Sequence, residues 1–393
     1  MSYTIEPIYY LLPLVSLACA FLGIGNRKGV KVALAVAFVL IYSLSLNGSD
    51  LEGYREIYRR TGEGELLGSI HGEAGYYYLM KLSFILGFNY ITFRAILLTV
   101  TSIVLFYSIA KLSQNFALSV FFVTTMFIVY TISAYRQYIV IAFSIFEIYQ
   151  YGCGHKRRAI IGLIILLFFH ITAILPLGCV IYHHLFRGQK TEKQVSFIKT
   201  HYVKLIILAL ALRVVMTIAL SIGPIRAILA SILSVHASPK TTLISFGLFS
   251  RLLFVIVVSY MYYRASEVEP TTRLIFWYYY ISILLYIILP LEFVMGRLMN
   301  NASILVAVLI PVLRYDQDRR EEQIGILQIR RISSVILITE MVALVVLTNQ
   351  LLHQDGYTPY LNLLRGDKLL VTEEIEESSN EEQEEMEIEP ENI

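Results

Sequence analysis

The residues of this chain best suited to chemistry are cations set in apolar surroundings. Arg136, Arg213, Arg251 and Arg297 stand inside or at the lip of apolar segments of membrane-crossing length, and His170 has a comparable setting. A guanidinium in the hydrocarbon core is expensive, so an intramembrane arginine reads first as a functional site. Its planar fork of five donors matches phosphate better than other anions. Several such residues in one chain predict a membrane-embedded pocket for a phosphate-bearing polyanion.

Each candidate has a plainer alternative. Ala134-Tyr135-Arg136-Gln137-Tyr138 opens a helix, where a fixed charge, free N–H groups and the dipole all favour an anion. The plainer role for Arg136 is a snorkelling anchor, but Gln137 and the tyrosines beside it, Tyr135 among them, offer donors to a carbohydrate and favour the functional role. Asp50 precedes Tyr54 by four residues and Tyr54 precedes Tyr58 by four, so the three share one helical face. Glu73 opens the next helix. Asp50, Glu73 and His170 are the candidate general bases toward a hydroxyl; the plain role for Asp50 is an N-cap, and for His170 a packing residue. Arg213 and Arg251 sit mid-span, where the alternative is a buried ion pair. Glu147 and Glu340 are the nearest acids at that depth, too few for every arginine, so an anionic ligand is the expected counter-charge.

The elements that position these residues follow from composition. The chain has 393 residues, 56% hydrophobic and 16% charged, with a mean hydropathy of +0.64. Apolar runs of about 20 residues recur from end to end, which makes this an all-α polytopic membrane protein rather than a barrel. Many of its 28 Tyr and 21 Phe cluster at span ends, as interfacial belts do.

Six short connections hold 19 of the 32 Lys and Arg: around Arg27, Lys111, Lys156, residues 187–204, residues 264–273, and residues 314–331. The positive-inside rule puts all six in the cytoplasm and both termini outside. Two irregularities follow. Segment 74–88 is short, carries Lys81 and starts with tyrosines, so it is expected to be interfacial or re-entrant. Segment 159–186 covers roughly 42 Å as a helix, too little for two crossings, so it is expected to be a hairpin of short helices with His170 to Pro176 at the turn. With further spans near 205–222, 243–262, 274–290, 297–313 and 332–350, the expectation is 10 full spans plus the hairpin.

The first apolar segment, Ile8 to Ile24, starts at Glu6 without a basic region or cleavage site and reads as a retained helix. Cys19, Cys153 and Cys179 are scattered and suggest no disulfide framework. Residues 1–365 are expected to form the membrane domain, and 366–393 an acidic solvated tail. No Walker loop, GxSxG, HExxH or CxxC motif occurs. No soluble part is large enough for a nucleotide fold, so chemistry is expected at the outer face, with no cofactor and no nucleic acid.

The order of several short motifs resembles the EpsG/Wzy-type family of bacterial polysaccharide polymerases. The matching pieces are Gly48-Ser-Asp50 with Tyr54 and Tyr58, Glu73-Ala-Gly-Tyr76, Tyr135-Arg136-Gln137, Phe169-His170 after Lys156-Arg157-Arg158, Gly296-Arg297 before Ile310-Pro311, and Pro359-Tyr360. The resemblance covers about residues 1–365, by hydropathy alone between 190 and 290. Tyr138-Ile139-Val140 departs from it, since small residues are more usual there. It implies a GT-C-like membrane glycosyltransferase architecture and metal-independent transfer of a glycan from undecaprenyl diphosphate onto an incoming lipid-linked repeat unit. In that frame Arg136, Arg251, Arg297 and Arg213 face the diphosphate, Tyr54, Tyr58, Tyr135 and Gln137 face sugars, and His170, Asp50 or Glu73 is the base. The implied location is the bacterial cytoplasmic membrane, with membrane lipid and possible chain-length regulators as partners. A ligase that moves finished glycan, or a flippase for the lipid-linked unit, are the competing readings; no internal repeat favours the flippase.

Overall fold

Local sequence sets where the helices start. Asn89 accepts from the Thr92 N–H at 2.8 Å, Asn115 from Leu118 at 3.1 Å and Ser245 from Leu248 at 3.0 Å. These side chains satisfy donors that a helix start leaves orphaned. The structure, a computed structural model, describes residues 6–48, 50–64, 73–186, 189–222, 243–265, 268–321, 338–348 and 351, and all regular elements among them are helices.

In chain order these are α1 (Ile8–Phe21), α2 (Lys28–Phe38) continuing into a π-turn (Val39–Ser43), α3 (Leu51–Gly62), α4 (Ala74–Ile85), α5 (Tyr90–Leu112), α6 (Phe116–Met126), α7 (Ile128–Ile132), α8 (Tyr135–Gly152) and α9 (Lys156–Leu166). A 3-10 turn (Ile171–Ala173) leads into α10 (Ile174–Leu185), α11 (Gln189–Ser221), α12 (Phe246–Arg264), α13 (Pro270–Ile288), α14 (Glu292–Ser303) and α15 (Val306–Glu321), followed by α16 (Ile338–Thr348). Among the described residues, five stretches are long and apolar enough to cross a membrane: α5, α11, α12, α13, and Met295–Arg314 across α14 and α15.

Burial is inverted relative to a water-soluble bundle. α6 and α8 are buried on nearly every side, whereas α1, α5, α9 and α11 expose Leu11, Ile103, Ile161, Ile207 and Ile218 outward. Such large apolar faces suit a hydrocarbon solvent. The bulky Tyr138 does not prevent close packing of α8 on α5: its hydroxyl meets Ser102 Oγ at 2.9 Å inside the interface.

Several expected segments are revised. The basic stretch near 190–204 is not a loop but the first half of α11, which continues into the expected span near 205–222. Nothing between Gln189 and Ser221 is Gly or Pro, so no residue interrupts the helix. The expected span 116–133 breaks at Phe127. The expected span 297–313 is divided at Ile304–Leu305 between α14 and α15. Segment 74–88 is a short helix, α4, and 159–186 is a pair of short helices, α9 and α10, interrupted at Leu167–His170. The acidic tail and Pro359-Tyr360 lie outside the described residues.

Candidate active site

The break after α9 is where the site forms. Gly75, at the start of α4, donates its N–H to the Phe168 carbonyl at 2.7 Å. A side chain there would put Cβ 2.9 Å from that oxygen and 3.0 Å from the Phe169 ring, so only glycine allows the approach. This contact carries Glu73, the residue capping α4, onto His170.

Glu73 bridges two of the expected residues. One oxygen, Oε2, pairs with Arg136 Nη1 at the start of α8, and the other, Oε1, lies 3.6 Å from His170 Nε2. Arg136 also donates from Nε to the Tyr54 hydroxyl at 3.3 Å, and its guanidinium lies 5.3 Å from the centre of that ring. Burial raises the Tyr54 phenol above its ordinary value against the pull of Arg136, so it stays a hydroxyl with a proton to donate. Arg136 is the most open of the three groups, its side chain 27% exposed against 17% for His170 and 12% for Glu73. It therefore forms the mouth of the site.

The tautomer of His170 is set by its neighbours. The Thr172 backbone N–H donates to Nδ1 at 3.2 Å, which makes Nδ1 an acceptor. In the neutral ring the proton then sits on Nε2, the nitrogen facing Glu73. Asn301 of α14 donates to the Thr172 carbonyl at 2.8 Å and fixes the turn. Gln137, next to Arg136, donates to the backbone carbonyl of Arg297. Arg136 and Arg297 both lie within electrostatic reach of His170.

Other expectations fall elsewhere. Tyr58 is corrected from a sugar contact to a packing residue, its hydroxyl donating to the Phe88 carbonyl at 2.6 Å and its ring stacked on Phe93. Tyr135 is 1% exposed, and its hydroxyl accepts from Arg94 at 2.7 Å. Gln137 is spent on the Arg297 carbonyl and is likewise buried. Asp50 stands at the exposed start of α3 and makes no capping hydrogen bond. Arg251 belongs to a neighbouring cluster, 3.1 Å from Asn300 Oδ1 and 4.2 Å from the Tyr286 ring centre.

Arg213 overturns the counter-charge argument. It donates to the carbonyls of Leu243 at 2.9 Å and Ile287 at 3.1 Å. The last turn of α13 thus supplies the partial negative charge that was assigned to a ligand. Arg94, which the sequence reading passed over, behaves alike: it is 2% exposed and donates to the carbonyls of Ser45, Asn47 and Ile132 as well as to Tyr135. It stands early in an apolar span, the same signal that singled out the other arginines. Asn300 and Asn301, two amides inside an apolar segment, were legible in the same way.

A family model described as the EpsG family covers residues 29–362, which includes every residue of the Glu73 cluster. No curated protein and no solved structure matches the chain.

Proposed function

This chain belongs to the EpsG family, the family of Wzy-type polysaccharide polymerases, and from that premise we propose that it extends a lipid-linked glycan at the outer face of a bacterial cytoplasmic membrane. The observation that carries the reading is one carboxylate, Glu73, shared between Arg136 and His170 at a helix start. Ten crossings in a GT-C-like arrangement, with both termini outside, belong to the same proposal.

In the proposed reaction the bond from the donor sugar to its lipid diphosphate breaks, and a bond from that carbon to the acceptor hydroxyl forms. The departing electron pair stays on the diphosphate. Arg136 and Arg297 stabilise it as fixed charges, which need no reorganisation when the bond breaks. His170 donates a hydrogen bond to it from Nε2 and keeps its proton. Glu73 takes the proton of the acceptor hydroxyl. Donor diphosphate competes with Glu73 for Arg136, so donor binding frees the carboxylate that the acceptor needs. Tyr54, whose ring packs 4.8 Å from Tyr135, lines the approach for the sugar.

The test is extension of purified lipid-linked repeat units by Glu73→Gln and Arg136→Ala proteins. A lost base or anion clamp lowers the rate by about 100-fold or more, leaving single units. A normal ladder from both variants at equal protein level would sink the assignment. Identifying the acceptor separates a polymerase from a ligase.

A further inference from the structure

An apolar cavity of about 530 Å³ lies between α4, α5, α8 and α9, its lining reaching Phe169, next to His170, and Ile139, one helical turn from Arg136. Its lining follows one stripe on each helix. On α8 these residues are Ile139, Phe143 and Glu147, and Arg136 begins the same stripe three residues before Ile139. On α9 the stripe passes Gly162 and Ile165, and in the break beyond it the lining ends at Phe169, the residue before His170 and the one whose ring meets Gly75. From Arg136 to Glu147 the helix rises about 16 Å. The cavity thus begins one turn below Arg136 and descends through what the proposed topology makes the membrane interior. Its walls at Leu82, Ile96, Val100 and Ile165 are about half exposed, so it opens sideways to lipid.

We infer that this groove holds the hydrocarbon chain of the polyprenyl diphosphate on which the donor glycan is carried, an inference that rests on the polymerase reading above. The chain and the anion of such a lipid are joined by one bond. A diphosphate seated on Arg136 must therefore release its chain at the foot of that residue, where the apolar stripe starts. A single groove takes a single chain, whereas a bilayer phospholipid brings two. The volume falls in the usual range for small-molecule pockets, about 300–1,000 Å³. Burial of hydrocarbon supplies affinity that does not depend on the sugars, so the groove would serve every repeat unit carried on the same lipid.

The experiment uses the full chain in lipid nanodiscs with undecaprenyl diphosphate bearing a diazirine on an isoprene close to the diphosphate. Photolabelling is expected on the stripe containing Val100 and Ile165. Val100→Trp/Ile165→Trp fills the groove from half-exposed positions without straining the core, and lowers labelling about tenfold, the equivalent of roughly two buried methylene groups. Ile103→Trp, which stands outside the groove on α5, leaves it unchanged. Excess unlabelled polyprenyl diphosphate removes the label, and excess phosphatidylglycerol does not. Labelling that persists in the filled variant, or that phosphatidylglycerol displaces equally, would overturn the groove. Glycan extension with an unchanged kcat/KM in the filled variant would overturn the groove and leave the polymerase standing. Groove labelling in a protein that extends no glycan would do the reverse.

Discussion

Two buried arginines of this chain carry no ligand-directed role, and the difference lies in what faces them. Arg94 and Arg213 are surrounded by backbone carbonyls at helix breaks and ends, and a charged donor to such groups is strongly held. Arg136 instead faces a carboxylate, a phenol and an opening. Replacing Arg94 by Met should therefore destabilise the protein by about 3 kcal/mol or more, because several buried carbonyls lose their donor together. A lowered midpoint in chemical unfolding of the detergent-solubilised protein reads this out, and an unchanged midpoint would refute the clamp. Arg94→Lys should not restore it, since an ammonium cannot span the four acceptors as a planar fork does.

At the level of elements, the site depends on how closely two helix ends meet. Gly75 lets α4 approach the break after α9, and Gly48, at φ +138°, lets the chain pass Ile132, whose carbonyl would lie 2.7 Å from a Cβ. Gly75→Ala should push Glu73 away from His170 and slow extension about 100-fold, the typical consequence of a misplacement near 1 Å. Because the change is local, thermal stability should fall far less than activity; a variant with normal extension would show that the Phe168 contact does not position Glu73. On the other side of the site, Gln137→Ala removes the amide that donates to the Arg297 carbonyl. We expect a raised KM for the lipid-linked donor with a smaller change in kcat, as Arg297 loses its fixed position.

For the whole molecule, orientation in the bilayer is the property to measure. Exposed Cys153 lies beside Lys156, Arg157 and Arg158, in one of the connections that the charge rule places in the cytoplasm. A membrane-impermeant maleimide should therefore label it in inside-out vesicles and not in intact spheroplasts. The reverse pattern would invert the protein and move the Glu73 cluster to the cytoplasmic side. Cys19 and Cys179 are partly buried in helices and should react slowly from either side.

Much was legible in the sequence because a bilayer constrains sequence strongly. Apolar length dictated helices, basic connections suggested an orientation, and the shortness of 159–186 forced an interruption near His170, which α9 and α10 display. The order of short motifs was enough to indicate the family that the model match identifies. What the chain alone left open was which polar groups meet. Glu73, Arg136 and His170 are separated by dozens of residues, and no local rule pairs them; the N–H of Gly75 on the Phe168 carbonyl does. Nor does hydropathy register that carbonyls at a helix end can satisfy a guanidinium, since their free lone pairs exist only once the helix has ended and packed. Sequence thus determined the kind of element and the solvent it faces, and tertiary packing decided which arginine was left for a ligand.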